Sequence, residues 1–281
     1  MESFVNAWQH LPSHISPSLF SIGSFQLRYY SLMYLVAFAV VYFLFSYRIK
    51  RKEISITEEF LQDYMVWAMV GLIVGARLGY ALFYNFSYFS THPLEIILPF
   101  DFSNGFRFVG LSGMSYHGGF IGVFLVTVYV CHKHNIKLWQ FGDWLCAAVP
   151  LGYMFGRLGN FINGELWGRI TTVPWGMYFP LDPTRSLRHP SQLYEALLEG
   201  LFLFCVLWPI RKKNPFDGFT VGLYIFGYGL VRFFIEFYRE PDSHLGFVLG
   251  FNTMGQVLCI VMMLTGIAVI LWRRRVSTPR K

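Results

Sequence analysis

The run Leu145-Cys146-Ala147-Ala148-Val149-Pro150-Leu151-Gly152-Tyr153-Met154-Phe155 leads directly into Gly156-Arg157-Leu158-Gly159-Asn160-Phe161-Ile162-Asn163-Gly164-Glu165-Leu166-Trp167-Gly168-Arg169. The first part is apolar. The second sets two arginines, two asparagines and a glutamate among four glycines. Glycine lets backbone turn tightly and approach a bound group, and arginine offers a planar fork of donors for a phosphate or carboxylate. Asn163-Gly164 is a turn signal, so the chain is expected to leave its helix within this segment. Two readings stay open on spacing alone: a site for an anionic ligand, or a polar loop at a membrane edge.

Composition places that segment in a membrane. The 281 residues are 54% hydrophobic and only 14% charged, against about a quarter charged in soluble domains. A net charge of +7 suggests nucleic acid at first sight, but the Lys and Arg sit in short blocks between apolar runs, which is a topology signal. No nucleic-acid partner is expected. The cysteines Cys131, Cys146, Cys205 and Cys259 are far apart and form no Cys-x-x-Cys pair, so neither a disulfide framework nor a zinc site is indicated. No Lys or Arg precedes Arg28, unlike a cleavable signal peptide.

The expected fold is an all-α integral membrane protein with seven transmembrane helices, over roughly 24–47, 63–85, 112–132, 138–157, 194–210, 219–238 and 253–272. Segments 48–62, 133–137, 211–218 and 273–281 hold 14 of the 23 Lys and Arg, and the segments on the other side hold 5. The remaining four, Arg28, Arg77, Arg157 and Arg232, lie in or at the ends of spans. The positive-inside rule then puts the N-terminus outside and the C-terminus in the cytoplasm. Residues 1–281 read as one transmembrane domain, with an interfacial periplasmic arm at about 86–111 and a small periplasmic cap at about 158–193. Thr171 to Val173 and Trp175 to Phe179 read as strand-like pieces of that cap. Gly71, Gly75 and Gly79 recur every four residues, a spacing that suits close helix packing in lipid.

An ionised side chain near the bilayer centre costs about 2.5–3.5 kcal/mol even on the lenient insertion scale, so such residues invite a functional hypothesis. Tyr228, Arg232 and Glu236 lie four apart in the sixth span and share one helical face. Arg232 and Glu236 either form a structural pair or belong to a site. His117 stands in Gly113-Met114-Ser115-Tyr116-His117-Gly118-Gly119, and histidine is the residue type suited to accept a proton at physiological pH. Its flanking glycines read as opening space beside the ring, although a lone histidine at a membrane edge is commonly structural. Tyr30 reads as an interfacial tyrosine, and His132 and His134 as a solvated turn. His189-Pro190-Ser191-Gln192-Leu193-Tyr194-Glu195 reads mainly as a helix start, with Ser191 and Glu195 as capping residues, and, as the lesser alternative, as lining the site.

Four motifs carry a resemblance. The Gly156–Arg169 segment, Tyr116-His117-Gly118-Gly119, His189 to Glu195, and Tyr228-Gly229-Leu230-Val231-Arg232-Phe233-Phe234-Ile235-Glu236 resemble the bacterial phosphatidylglycerol–prolipoprotein diacylglyceryl transferases. The likeness runs in order from about Tyr29 to the last helix. Ser31 and Tyr116 depart from the family's usual glycine and phenylalanine. The resemblance implies a seven-helix enzyme of the bacterial inner membrane that needs no cofactor. It implies transfer of a diacylglyceryl group from phosphatidylglycerol to the lipobox cysteine of a prolipoprotein signal peptide, giving a thioether and glycerol phosphate. It singles out Tyr30, His117, Arg157, Asn160, Glu165, Gly168, Arg232 and Glu236. Arg157 is implied to contact the lipid. On chemistry, Arg157 and Arg232 suit the phosphate, His117 the proton, Glu236 or Glu165 the orienting of those groups, and Asn160, Tyr30 and Tyr228 neutral hydrogen bonds. No metal is required. A phospholipid hydrolase or head-group transferase, and a transporter for an anionic solute or lipid, are the rival classes.

Overall fold

The computed structural model describes residues 2–22, 25–98, 100–101, 107–108, 113–240, 247–248 and 252–277. Parts of the expected arm, including Pro99 and Gly105, and most of 239–252 lie outside the described residues. The protein is mostly helical. Its helices are α1 (Glu2–Gln9), α2 (Tyr29–Lys50), α3 (Glu58–Phe83), α4 (Phe86–Thr91), α5 (Tyr116–Lys133), α6 (Leu138–Cys146), α7 (Val149–Asn163), α8 (Ser191–Glu195), α9 (Leu203–Ile210), α10 (Phe219–Ile235) and α11 (Met254–Val276). A π-helical stretch, Ala196–Phe202, joins α8 to α9.

Helical segments fall at all seven expected positions. Four of them, α2, α3, the continuous 191–213 and α11, are long and apolar enough to cross a membrane, and α6 with α7 makes a fifth as a bent pair. The expected fourth helix is therefore two helices meeting at 50°. Pro150 sits in the first turn of α7, where its missing N–H costs nothing but its ring forbids continuing the preceding turn. α7 also continues past Arg157 to Asn163 before Gly164 ends it with φ +71°. The glycine-rich segment thus begins as two further helical turns, not as the expected loop. Gly164 is the position where a left-handed residue is required.

The chain divides into two compact units, one of Ile22–Phe25 and Arg48–Phe141, the other of Met1–Ser21, Gln26–Tyr47 and Gly142–Lys281. In the first, α3 and α5 meet through glycine. A Cβ at Gly75 would collide with the Gly118 carbonyl oxygen, and one at Gly79 would lie 2.7 Å from the Gly118 Cα. The four-residue glycine repeat is a packing seam, as its spacing implies. Arg77, buried in α3, donates to the carbonyls of Glu95 at 2.6 Å and Ile96 at 2.9 Å. That resolves the charge in the span: the guanidinium fastens the segment after α4.

In the second unit, α10 starts at Gly218, which has no capping side chain of its own. Asp143 of α6 supplies the cap, accepting from the Gly218 N–H at 2.8 Å and the Val221 N–H at 3.1 Å. A carboxylate there satisfies orphan amides and complements the helix dipole.

The cap region is smaller than its expected strands. The one two-residue ladder is Met177–Tyr178, antiparallel to Leu187–Arg188, with an isolated bridge from Ile170 to Arg188 beside it. Thr171 to Val173 forms no strand: the Thr171 N–H donates to the Leu187 carbonyl at 2.9 Å, but the Val173 N–H turns to the Thr171 hydroxyl at 3.3 Å, and Pro174 brings no donor to a ladder. Phe161, Met177 and Phe179 form a small core with Trp8, Ile15, Trp167 and Leu193 against it. Arg188 clamps Asp182, Nε to Oδ2 at 2.8 Å and Nη2 to Oδ1 at 3.1 Å. Burial pushes the Asp182 carboxyl up, but hydrogen bonds from Arg188 and Thr184 outweigh it and hold the group at about 2. Stability from this lowered carboxyl is full above its unfolded value and is lost as pH falls through about 2. Protease sensitivity of the 177–188 segment in detergent is therefore expected to be flat from neutrality down to mild acid and to rise only near that pH. Separately, Gly75→Val is expected to destabilise by about 2 kcal/mol or more through forced separation of α3 and α5, read as a fall in thermal midpoint in detergent.

Candidate functional site

Tyr153, Arg157 and Asn160 stand at i, i+4 and i+7 on α7, hence on one face. The Arg157 Nε donates to the Tyr153 hydroxyl at 2.6 Å, and its Nη1 donates to the Asn160 Oδ1 at 3.2 Å. The same Nε lies 2.8 Å from the Glu195 Oε2. The other oxygen of Glu195 accepts from Arg232 Nη1 of α10, at 2.9 Å. One carboxylate therefore bridges guanidinium groups from two helices.

Arg232 has two further anionic neighbours. Its Nη1 is 3.4 Å from the Glu199 Oε1, and its Nη2 is 3.2 Å from the Glu236 Oε2. The other Glu199 oxygen accepts from the Tyr153 hydroxyl. Thr253, which also caps α11, donates its hydroxyl to the Glu236 Oε1 at 3.2 Å. Tyr228 presents its ring edge to Tyr153, the two hydroxyls 3.4 Å apart. The sequence left two options for Arg232 and Glu236; the pair exists, inside a network of five charges.

Burial ranks the members. Glu195, Glu199, Glu236 and Arg232 are buried, whereas the Arg157 side chain keeps 19% of its surface exposed. Among the described residues, its Nη2 has no hydrogen-bond partner. The cluster is open at that edge. Gly156 adds room: a Cβ there meets no atom within 4 Å, although Gly152 and Gly159 on the same helix pack against Ala37, Tyr30 and Met33 of α2.

The polar chain continues from α7 into the turn that follows it. Asn160 Nδ2 donates to the Glu165 Oε1 at 2.8 Å. Leu166 takes a positive φ of 60°, a conformation unfavourable for a branched side chain. Two neighbours pin it. Ser191 Oγ donates to the Leu166 carbonyl at 2.9 Å, and Gln192 Nε2 to the Glu165 carbonyl at 2.6 Å. The expected capping role of Ser191 and Glu195 is thus overturned, since α8 has no side-chain cap; Ser191 clamps a turn and Glu195 joins the arginines. Gly168 is wedged: a Cβ would strike the Tyr238 carbonyl oxygen and lie 2.9 Å from the His189 Cβ. Its N–H donates to the His189 carbonyl at 2.8 Å.

His189 packs against Tyr238 and lies 3.1 Å from the Tyr194 hydroxyl. Burial lowers its pKa, so the ring is neutral at neutral pH. Trp175 Nε1 can only donate, and does so to Tyr194 at 2.9 Å. The Tyr194 proton is then free to point at the His189 Nδ1.

Of the residues singled out by sequence, Arg157, Arg232, Glu236, Asn160, Glu165 and Tyr228 join this one network. Tyr30 borders it, its ring against Gly159 and its phenol facing Asn160 and Glu165. Gly168 shapes the adjoining turn. His117 belongs to the other compact unit, exposed in the first turn of α5 beside the Tyr116 ring. Its flanking glycines do not open space as expected: Gly118 presses on Gly75 and Gly79, and Gly119 on Leu72. Sequence reasoning missed Glu195, Glu199 and Tyr153. The signal was present, because two carboxylates four apart in the apolar run 191–213 satisfy the criterion that flagged Arg232. Among the described residues no three His, Cys, Asp or Glu side chains are grouped as metal ligands.

The fold and the network define a multi-pass membrane protein with a buried arginine–carboxylate cluster open at one guanidinium edge. The sequence model of the family described as prolipoprotein diacylglyceryl transferase matches residues 17–272. A phosphatidylglycerol–prolipoprotein diacylglyceryl transferase of Chlorobaculum tepidum is 51% identical over 276 residues, covering 98% of this chain and 96% of that protein. Relatives of the same name from Campylobacter jejuni and Treponema denticola are 44% and 40% identical, over 93% and 92% of this chain and 95% and 93% of theirs. The chain belongs to the prolipoprotein diacylglyceryl transferase family and is a transferase.

Glycine positions separate structure from access. Gly168→Ala is expected to lower the thermal midpoint by several degrees, because its Cβ meets backbone. Gly156→Ala is expected to leave the fold intact and to raise its stability by about 0.5–1 kcal/mol, since the methyl meets nothing and alanine favours the helix. Arg232→Ala removes the guanidinium that three carboxylates share and is expected to cost roughly 3–5 kcal/mol, as for other buried ion networks broken on one side. Denaturation of the purified variants in one detergent checks all three.

Proposed function

We propose that this chain moves the diacylglyceryl group of phosphatidylglycerol onto the lipobox cysteine thiol of a prolipoprotein signal peptide, with Arg157 as the residue that meets the lipid phosphate. The observation that carries this reading is the single carboxylate shared by guanidinium groups from α7 and α10, with one edge of Arg157 left open. Family membership supports the reaction, and the geometry supports the residue.

In the proposed reaction the S–H bond of the thiol and the C–O bond to phosphate break, an S–C bond forms, and glycerol phosphate leaves with the proton. Free cysteine has a pKa of roughly 8.5, so the thiolate has to be made or stabilised. Charge grows on the departing phosphate oxygen, and a fixed guanidinium close to it lowers the barrier without reorganisation. Arg157 makes that contact. Arg232 supplies the second positive charge and is held in place by Glu199 and by Glu236, which Thr253 orients. Asn160, oriented by Glu165, offers a neutral donor or acceptor beside Arg157, with Tyr30 and Tyr228 at the margins. Gly168 shapes the turn that follows. Gly156 gives room for the glyceryl carbon. His117 is assigned the thiol proton on sequence grounds.

The same reading places the protein in the bacterial inner membrane with seven spans, α5 and α10 included, the N-terminus periplasmic and the C-terminus cytoplasmic. The segment at about 86–111 then lies along the outer interface, and the region at about 158–193 covers the outer end of the helices. Both substrates are lipid-embedded and enter sideways from the outer leaflet.

The test is direct. Purified protein, phosphatidylglycerol and a lipobox peptide are combined, and the peptide is weighed. A gain of one diacylglyceryl group on the cysteine is expected; release of lipid products without peptide modification contradicts the reading and favours a hydrolase. Arg157→Ala is expected to lower turnover by about 10²–10³-fold, the value of a charged donor at a developing oxyanion. His117→Gln is expected to remove the neutral-side limb of the pH–rate profile. If that limb persists, His117 is not the base.

A further inference from the structure

In contact with one another lie two arginines, Arg157 and Arg232, and three carboxylates, Glu195, Glu199 and Glu236. The carboxyl groups outnumber the guanidinium groups before any phosphate arrives. A site for an anion built in this way is at odds with itself unless one carboxylate gives way. Glu195 is the one whose place coincides with a ligand's. It alone touches both guanidinium groups, at 2.8 and 2.9 Å, and it sits on the Nε side of the more exposed arginine of the two. Its contact with Arg157 is also the weaker of the two: that Nε–H points at the Tyr153 hydroxyl, and the Glu195 Oε2 is buried without a hydrogen bond. Arg232, by contrast, keeps Glu199 and Glu236 if Glu195 turns away.

We propose that Glu195 is a displaceable counter-ion: the lipid phosphate takes over Arg157 from it, and Glu195 retreats toward Arg232 and takes up a proton. This inference rests on the proposed transfer reaction and deepens it. Glu195 acts as a positioning residue, holding Arg157 ready in the empty site and competing with substrate and with product. Once Arg157 is engaged by phosphate, three carboxylates are left with one guanidinium among apolar surroundings. The groups set against Glu195 are Arg157 and Tyr153 of α7, Glu199 on its own helix and Arg232 of α10, and beyond them Tyr228, Glu236 and Cys259 surround Arg232. None adds positive charge beyond the two arginines, so protonation of a carboxylate is the available relief. Competition by Glu195 also gives the departing glycerol phosphate a way off, because the returning carboxylate re-pairs the arginine.

Two measurements on the full chain in detergent test this. The first is calorimetric binding of glycerol phosphate to wild-type protein in buffers of different ionisation enthalpy, at a pH about two units above the phosphate's own second pKa of about 6 so that the ligand is already a dianion, with uncharged glycerol as control. Uptake of close to one proton per bound anion is expected, with affinity falling as pH rises, the sign that proton uptake requires. The second compares Glu195→Gln with wild type. Removing the competing charge while keeping the shape is expected to tighten glycerol phosphate by at least about tenfold, the scale of one charge-assisted contact. It is also expected to lower the KM for phosphatidylglycerol and kcat together, since product is then held. A merely structural Glu195 predicts the reverse, a lower kcat with an unchanged or raised KM. Binding without proton uptake overturns the inference, as does a folded Glu195→Gln that binds the anion no tighter; should that variant fail to fold, the wild-type proton count decides alone. Failure of the transfer reading is a separate result, visible as an unmodified lipobox peptide with wild-type enzyme.

Discussion

A carboxylate held between two guanidinium groups in an apolar bundle is the constraint on which the second compact unit depends. Each of these charges carries a desolvation penalty of several kcal/mol that only close partners offset. The partners come from three different elements: Arg157 from α7, Glu195 and Glu199 from the continuous helix 191–213, and Arg232 and Glu236 from the end of α10. None of these helices can shift by a turn without stranding a charge. The network thus fixes register among helices whose apolar faces, being equally at ease with lipid, specify little by themselves. Once register is set, the turn after α7 has one place to go, and Ser191 and Gln192 pin it there through the carbonyls of Leu166 and Glu165.

The same arrangement explains how a structural ion network and a binding site coexist. Most of the network is saturated and buried, which makes it rigid. One guanidinium edge is not. A preorganised donor at the rim of a low-dielectric region acts on developing negative charge more strongly than the same donor in water. The open space beside Gly156 lies along the same helix, so room and charge are adjacent. The rigid part positions the reactive part.

Much of this was legible in the chain before any coordinates. Apolar runs placed the helices, the four-residue glycine spacing announced the α3–α5 seam, and the intramembrane arginines marked where chemistry had to be sought. What escaped notice has physical causes. Pro150 was read inside a continuous span, although its ring forces the 50° bend between α6 and α7. Asn163-Gly164 marks the end of α7, but the polar residues before it, which read as cap, are helical, because a helix carries polar side chains without penalty when neighbouring helices satisfy them. Glu195 was misread because local spacing suggests a cap, whereas its partners lie 38 and 37 positions away in the chain, at Arg157 and Arg232. Long-range pairing of this kind leaves no periodicity behind. His117 shows the opposite limit: its glycine neighbours suggested space for a ligand, and they turn out to serve helix contact.

The most direct test of the account is a structure of the protein with phosphatidylglycerol bound in a lipid environment. The account predicts the phosphate within hydrogen-bond distance of the Arg157 guanidinium, with the Glu195 carboxylate withdrawn to Arg232. A phosphate seated elsewhere, with Arg157 and Glu195 still paired as they are here, contradicts it.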